Sequence, residues 1–200
     1  MVYYYSKMVV FFVLLLSIPV VVRFFLYKKS MQALDTLSNF LSGKTLRLSF
    51  LYDIPAFKGE YQGVKFEIRI SIGKRQHNDS PSLIVLLDKK SFLKLDIFSK
   101  KKAMNLLGRN LSAGLKVNIE DEEYKGLPIF TNDNIRVIDY LKDEQIKRLI
   151  QELLNMGVPD ISITGSKIII SKPFYNLRED LNEENITNIL NALIVLTKRL

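Results

Sequence analysis

The stretch NFLSGKTLRLSF, residues 39–50, contains Gly43-Lys44-Thr45, the last three positions of a phosphate-binding loop. Such a loop also needs a glycine five residues before the Gly-Lys pair, and Ser38 occupies that position. The loop must leave a strand and open a helix, so that the amides at the helix N-terminus face the phosphates. The pattern here predicts the reverse, a helix that stops at Gly43 and a strand that begins at Thr45. We therefore predict no nucleotide site in this segment.

Two other groups of titratable residues are candidates for chemistry. His77 is the single histidine and lies in the polar stretch GKRQHNDSPS, which is typical of an exposed hairpin tip. The acidic run EDEEY, residues 120–124, lacks the alternation and the glycine of a calcium loop, so we expect solvated carboxylates. The chain has no cysteine, which excludes disulfides, thiolate metal sites and a cysteine nucleophile. We predict no metal, no cofactor and no enzymatic activity.

A basic segment stands out between residues 89 and 116. It holds eight Lys or Arg residues against Asp96 alone, a net +7 of the chain's formal +8. No aromatic stacking platform or recognition helix accompanies these charges, so we expect no nucleic-acid partner. The alternatives are a merely solvated basic face and a contact with anionic lipid headgroups. The residues predicted for the lipid contact are Lys89, Lys90, Lys94, Lys100, Lys101 and Lys102.

The strongest signal is the apolar run MVVFFVLLLSIPVVVRFFLY, residues 8–27, which only Ser17, Pro19 and Arg23 interrupt. Twenty residues in a helix span about 30 Å, the thickness of the hydrocarbon core of a bilayer. No small-x-small cleavage site follows, which favours an uncleaved anchor over a removed signal peptide or a buried core helix. Residues 1–29 are therefore predicted to be a transmembrane signal anchor with its flanks.

Basic residues flank the predicted anchor unequally. Arg23, Lys28 and Lys29 lie at its C-terminal end, where we expect them at the membrane interface, whereas Lys7 stands alone at the other end. Because positive charge is enriched on the cytoplasmic side, we predict a cytoplasmic C-terminal domain. An exported domain is the alternative.

Two further segments follow the anchor. Residues 30–43 have an apolar stripe that includes Met31, Leu34 and Leu41, which predicts a juxtamembrane helix before a domain at 44–200. Apolar residues alternate with polar ones through much of 45–98, which predicts an antiparallel meander with one face on a core.

The C-terminal part, 134–200, reads as strand, helix, hairpin and helix. NIRVIDY is predicted as the strand, and the next helix is capped by Asp143 and stopped by Gly157. Gly165-Ser166 fits a tight hairpin link, and Asp180 with Glu183 resembles a capping box before a helix at 182–200. The predicted fold class is α+β, an antiparallel sheet with helices packed on one face.

FKGEYQGVKFEI contains a Gly-x-Tyr-x-Gly step that enters a strand, and IFTNDNIRVIDYLKDEQIKRLIQELL follows much later. These two stretches resemble a family of bacterial membrane-associated proteins that share a domain of unknown function. The resemblance runs from about Phe57 to Ile170, and the chain departs from it at Thr131-Asn132-Asp133, where the family pattern has Phe shortly after the Asp. It implies a fold and a membrane location but no catalytic residues.

Taken together, the patterns predict a single-pass membrane protein whose α+β domain is a binding or scaffolding module. Its expected partners are the lipid bilayer, anionic headgroups, and a protein or a second copy of the chain. Two alternatives stay open. One is an exported domain within an envelope assembly such as a secretion or pilus complex, and the other is an enzyme whose chemistry the sequence does not identify.

Overall fold

The computed structural model describes residues 2–46, 55–71, 81–91, 93–99, 114–119, 121–173 and 176–198. The first helix, α1, runs over Val2–Asp35 with Pro19 inside it. The side chains of residues 2–10 and 12–16, which include part of the predicted anchor, lie outside the described residues. Among the residues that are described, no helix has a stretch that is both long enough and apolar enough to cross a membrane.

The end of α1 belongs to the folded domain. Leu34, Leu37 and Leu41 are buried in the same core as the sheet, so the predicted stripe is confirmed, but the predicted boundary at residue 44 is wrong. A 3-10 turn, Thr36–Asn39, leads from α1 into the first strand.

Strand β1, Ser42–Leu46, contains Gly43, so the prediction that Gly43 stops a helix is wrong. Gly43 lies directly opposite Gly59 in the next strand. A Cβ atom at residue 43 would come within 2.6 Å of the Phe57 ring, which explains why the position needs a glycine. The absence of a helix start after Gly43 agrees with the rejection of a phosphate-binding loop.

Strands β1, β2 (Ala56–Tyr61), β3 (Val64–Ser71) and β4 (Ser82–Asp88) form the predicted antiparallel meander. The turn between β2 and β3 has Gln62 at φ 50° and Gly63 at φ 77°, as a tight hairpin turn with two left-handed residues requires. The Gly-x-Tyr-x-Gly step is therefore the end of β2 and its turn, a structural feature.

The other strands are β5 (Leu95–Phe98), β6 (Leu115–Val117), β7 (Ile129–Thr131), β8 (Asp160–Ile163) and β9 (Lys167–Pro173). The sheet has the order β1-β2-β3-β4-β9-β8-β5-β7-β6, and each pair of neighbouring strands is antiparallel. The predicted meander over 45–98 is therefore wrong at its last step, because the β8–β9 hairpin lies between β4 and β5. The two-residue link Gly165-Ser166 is confirmed, with Thr164 N donating to Lys167 O at 2.8 Å.

Helices α2 (Asn134–Lys142), α3 (Glu144–Asn155), α4 (Leu177–Asp180) and α5 (Glu183–Lys198) complete the domain. The NIRVIDY segment lies in α2, so its prediction as a strand is wrong. The Asp133 carboxylate accepts from Arg136 N and starts this helix, and Val137, Tyr140 and Leu141 are buried at helical spacing. The local cap and the helical stripe outweigh the β-branched residues.

The predicted signals at the ends of α3 are confirmed. Asp143 caps the start, its carboxylate accepting from Gln145 N and Ile146 N. Gly157, at φ 84°, ends the helix, and Val158 N donates to Leu153 O while Gly157 N donates to Leu154 O. At α5 the capping residue is Asn182, which accepts from Asn185 N at 2.7 Å, and not Asp180 as predicted. Asp180 instead pairs with Lys172 at 2.9 Å.

The core lies on one face of the sheet. The core-facing residues of β3, β4 and β9 alternate along each strand, and they share one cluster with residues of α2, α3 and α5. These strand residues are Phe66, Ile68, Ile70, Leu83, Val85, Leu87, Ile168 and Ile170. The chain is thus α+β, with a nine-stranded antiparallel sheet and helices.

Candidate functional site

Part of the predicted basic segment surrounds the tip of the β8–β9 hairpin. Because that hairpin separates β4 from β5, the connection between them must cross its tip. Lys89 N donates to Ser166 O at 3.0 Å, and Ser91 N donates to Gly165 O at 3.1 Å. Lys89, Lys90 and Lys94 are exposed on this connection. Lys167, which sequence reasoning did not include, joins them because it lies directly opposite Asp88.

Strand β5 divides the described part of the basic segment. Lys94 precedes β5, whereas Ser99 follows it, and a four-residue strand extends about 13 Å. Ser99 N donates to Pro159 O at 2.7 Å and so fixes the far end of β5. Lys100, Lys101 and Lys102 lie outside the described residues. The described part of the segment therefore places three of the six predicted lysines at one end of the sheet.

Of the predicted interface residues, Lys28 and Lys29 lie on α1 beyond its apolar stretch, and Arg23 lies within it. Arg23, Lys28 and Lys29 are exposed, and the first buried residue after them is Ser30. The side chains of α1 thus change from exposed to buried between Lys29 and Ser30.

Residues 18–26 of α1 expose large apolar side chains. Phe25 is 64% exposed and Val21 is 49% exposed. The set comprises Ile18, Val20, Val21, Val22, Phe24, Phe25 and Leu26. Successive residues of an α-helix are about 100° apart, so this set covers about two thirds of the circumference of the helix, and Pro19 and Arg23 occupy the remaining sector. A helix with so wide an apolar surface normally lies in an apolar environment, either a protein core or a membrane.

The acidic run is more ordered than the sequence suggested. Lys147 of α3 lies among three carboxylates, at 2.6 Å from Asp121, 3.1 Å from Glu123 and 2.9 Å from Glu144. Tyr124, at the end of the run, is buried and donates to Leu141 O at 3.2 Å. Glu122 and Glu123 are exposed, as the prediction of a solvated run requires, while Asp121 and Glu123 also form ion pairs with Lys147. The signal that sequence reasoning missed is a tyrosine next to the acids.

Hydrogen bonds fix the charge states in this cluster. The ammonium of Lys147 lowers the pKa of the Asp121 carboxyl, with help from the Glu123 backbone amide. Hydrogen bonds to Asp121, Glu144 and Glu123 raise the pKa of Lys147 above its ordinary value. The ion pairs of Lys147 tie the segment before β7 to α3.

The face of the sheet opposite the core carries a row of paired polar side chains. Glu67 pairs with Arg69 at 2.6 Å and with Lys58 at 3.5 Å. On the same cross-strand row, Ser162 donates to Asp96 at 2.5 Å. A serine nucleophile needs an adjacent base that accepts its proton and a third group that orients the base, and the chain's single histidine lies outside the described residues.

An open groove of about 580 Å³ lies between α3 and α5. Its walls are Leu149, Glu152 and Asn155 of α3, Met156 directly after α3, and Asn188, Asn191, Ala192 and Val195 of α5. At its edge the β2–β3 turn reaches the helix, because Gln62 Nε2 donates to Asn191 Oδ1 at 2.9 Å. Within the described residues, no group of three or more His, Cys, Asp or Glu side chains is placed to hold a metal ion.

Comparisons with protein-family models and with curated proteins found no match. Among solved structures, the mycobacterial trehalose monomycolate transport factor A, TtfA, is similar at a TM-score of 0.44 and 12% sequence identity. The alignment covers 80% of this chain and 83% of that chain. At that TM-score the likeness assigns neither a fold family nor a function.

Proposed function

We propose that this chain is a single-pass membrane protein whose α+β domain is a binding or scaffolding module at the membrane surface. The observation that carries the proposal is the exposure of apolar side chains around about two thirds of the circumference of α1 at residues 18–26. Exposed apolar patches of this kind mark contacts with lipid or protein. The preceding run from Met8 extends the apolar stretch to the length that a bilayer needs.

Basic residues at the domain end of this stretch support the proposed orientation. Lys28 and Lys29 are exposed, and the long side chain of Arg23 can reach the headgroups from its position four residues before Tyr27. The positive-inside bias then favours a cytoplasmic domain.

A role in binding fits the polar clusters of the domain better than catalysis does. The described carboxylates at Lys147 and at Arg69 are engaged in ion pairs. Ion pairs of this kind lower the pKa of Asp121 and raise that of Lys147, so both shifts move away from the near-neutral pKa that a general acid or base needs. The partners we propose are the bilayer, anionic headgroups at Lys89, Lys90 and Lys94, and a protein or a second copy of the chain.

Substitutions in α1 test the anchor in the full chain. Val21→Asp with Phe25→Asp places two carboxylates in the apolar stretch, each costing about 2.5–3.5 kcal/mol at the centre of a membrane helix and less toward its ends. We expect this variant to leave the membrane pellet after alkaline carbonate extraction, while the unchanged chain stays in it. The matched control is Gln32→Asp with Ser38→Asp, which adds the same charge at exposed positions beyond the stretch. Release of the unchanged chain would refute the anchor.

A reporter fused after residue 200 tests the side of the membrane. A cytoplasmic domain predicts fluorescence from a reporter that folds only in the cytoplasm, and no activity from a phosphatase that folds only after export. Phosphatase activity would favour the exported alternative, a domain within an envelope assembly.

The lipid contact at the hairpin tip has a separate test. Lys89→Gln, Lys90→Gln and Lys94→Gln together should reduce the anionic phospholipid that copurifies with the full chain in mild detergent, since each lysine near a surface contributes about 1 kcal/mol. The control changes the exposed lysines Lys116, Lys142 and Lys198 to Gln. Equal lipid loss in both variants would show that overall charge, and not this tip, attracts the lipid.

A further inference from the structure

Helix α1 passes from its exposed apolar stretch into the core of the domain without a break. Leu26 is exposed, while Ser30 and Met31 are buried and Leu34 is fully buried. All of them lie in the one helix Val2–Asp35, which packs against β1 and β2. No linker separates the apolar stretch from the domain.

Because the helix is continuous, its rise per residue gives the distance between the apolar stretch and the first buried residue of the domain. Tyr27, the last residue of the proposed span, and Ser30 are three residues apart, or about 4.5 Å along the axis. The headgroup layer on each side of the hydrocarbon core is about 5–7 Å thick. If residues 8–27 fill the hydrocarbon core, the first residue that the domain buries lies inside the headgroup layer.

We infer that α1 seats the domain directly on the membrane, so that the surface of the domain around Ser30 and Met31 contacts lipid headgroups. The inference rests on the proposed function, because it needs the anchor. Lys28 and Lys29 are exposed and directly precede this surface, so they place two ammonium groups next to the headgroup layer. The exposed carboxylate in the last turn of α1 is that of Asp35. The partner surface is therefore a leaflet that contains anionic phospholipid.

The absence of cysteine from the chain makes a site-specific test straightforward. Gln32→Cys provides one exposed labelling position, five residues or about 7.5 Å beyond Tyr27. The full chain is labelled with a fluorophore and reconstituted into phosphatidylcholine–phosphatidylglycerol vesicles that carry a nitroxide on the headgroup. We expect strong quenching of the label.

A spacer variant is the matched comparison. Eight Gly/Ser residues inserted between Lys29 and Ser30 add a flexible reach of about 14–17 Å, and circular dichroism checks that the domain still folds. We expect a loss of quenching in this variant. Equal quenching with and without the spacer would overturn the inference, because the domain would then adhere without help from α1, and no quenching in the unaltered chain would overturn it as well. Failure of the chain to enter vesicles or membranes would refute the proposed function itself.

Discussion

Helices α1 and α5 are both rich in Ile, Leu and Val, yet their apolar residues face different surroundings. Within residues 18–26 of α1, seven large apolar side chains are exposed. In α5 the apolar residues Ile186, Ile189, Leu190, Leu193 and Leu196 are all buried against the sheet. Asn182 caps the start of α5, and Tyr140 donates to Leu196 O near its end.

The contrast shows that the distribution of apolar residues around a helix matters more than their number. In α5, polar residues such as Glu184 and Asn188 interrupt the apolar ones and give the helix an exposed side. Between residues 18 and 26 of α1, Arg23 is the single charged residue. One face of α5 can therefore pack while the other meets water, whereas this part of α1 has no polar face to present.

The largest expected effect is a loss of core packing in α5. Leu193→Ala removes a fully buried side chain and should lower the free energy of unfolding by about 2–5 kcal/mol. Val21→Ala in α1 should change it by less than about 0.5 kcal/mol, since Val21 contributes little to the domain core. Urea unfolding of the full chain in detergent, followed by circular dichroism, measures both. Equal losses in the free energy of unfolding would contradict the proposed difference between the two helices.

A smaller effect is expected from the hydrogen bond at the end of α5. Tyr140 is buried, which raises the pKa of its phenol, and its hydroxyl donates to Leu196 O at 3.0 Å. Tyr140→Phe removes that donor and should cost about 1 kcal/mol in the same unfolding measurement. Tyr124→Phe is a parallel variant, because Tyr124 donates to Leu141 O at the end of α2. If the free energy of unfolding is unchanged in both variants, these hydrogen bonds do not stabilise the helix ends.

The smallest effect is the pH dependence of the domain. Burial alone would raise the pKa of Glu67, but the hydrogen bond and charge of Arg69, with Lys58, hold it below the ordinary value of 4.5. The ionised form of Glu67 therefore stabilises the fold. Its contribution is present at pH values above the ordinary pKa, and it is lost as the pH falls through the lowered pKa of the folded state. Residues 18–26 contain no carboxylate, so membrane retention should not follow this titration.

The variant Glu67→Gln isolates this contribution. At pH 7 it should be less stable than the unchanged chain by up to about 1 kcal/mol, and the gap should narrow as the pH falls below the ordinary value. Urea midpoints between neutral and acidic pH measure the gap. A gap that stays constant with pH would show that the glutamate acts through packing and not through its charge.

Local patterns in the sequence were sufficient to predict many of the helices and strands. The alternation in β3 identified Phe66, Ile68 and Ile70 as core residues, and Asp143 and Gly157 marked the two ends of α3. These features depend on residues close in sequence, so the sequence shows them directly. The sequence also contained a signal for the helix α2, because Val137, Tyr140 and Leu141 have helical spacing.

Other features depend on residues far apart in the chain. The pairing of β4 with β9 joins residues 82–88 to residues 167–173, and no local pattern shows that this hairpin enters between β4 and β5. For the same reason the sequence could not show that Lys167 lies directly opposite Asp88, the residue before Lys89. The order of a sheet is decided by packing between distant segments, which a single sequence does not display.

The position of the β8–β9 hairpin has a consequence for biosynthesis. Strands β1 to β5 leave the ribosome well before residue 160, and until then β4 and β5 each lack the neighbour they have in the finished sheet. Open strand edges favour pairing with the wrong chain, and contacts between distant segments form slowly. A chain that is cut short before β8 would therefore expose two incomplete edges of the sheet and become a substrate for aggregation or proteolysis.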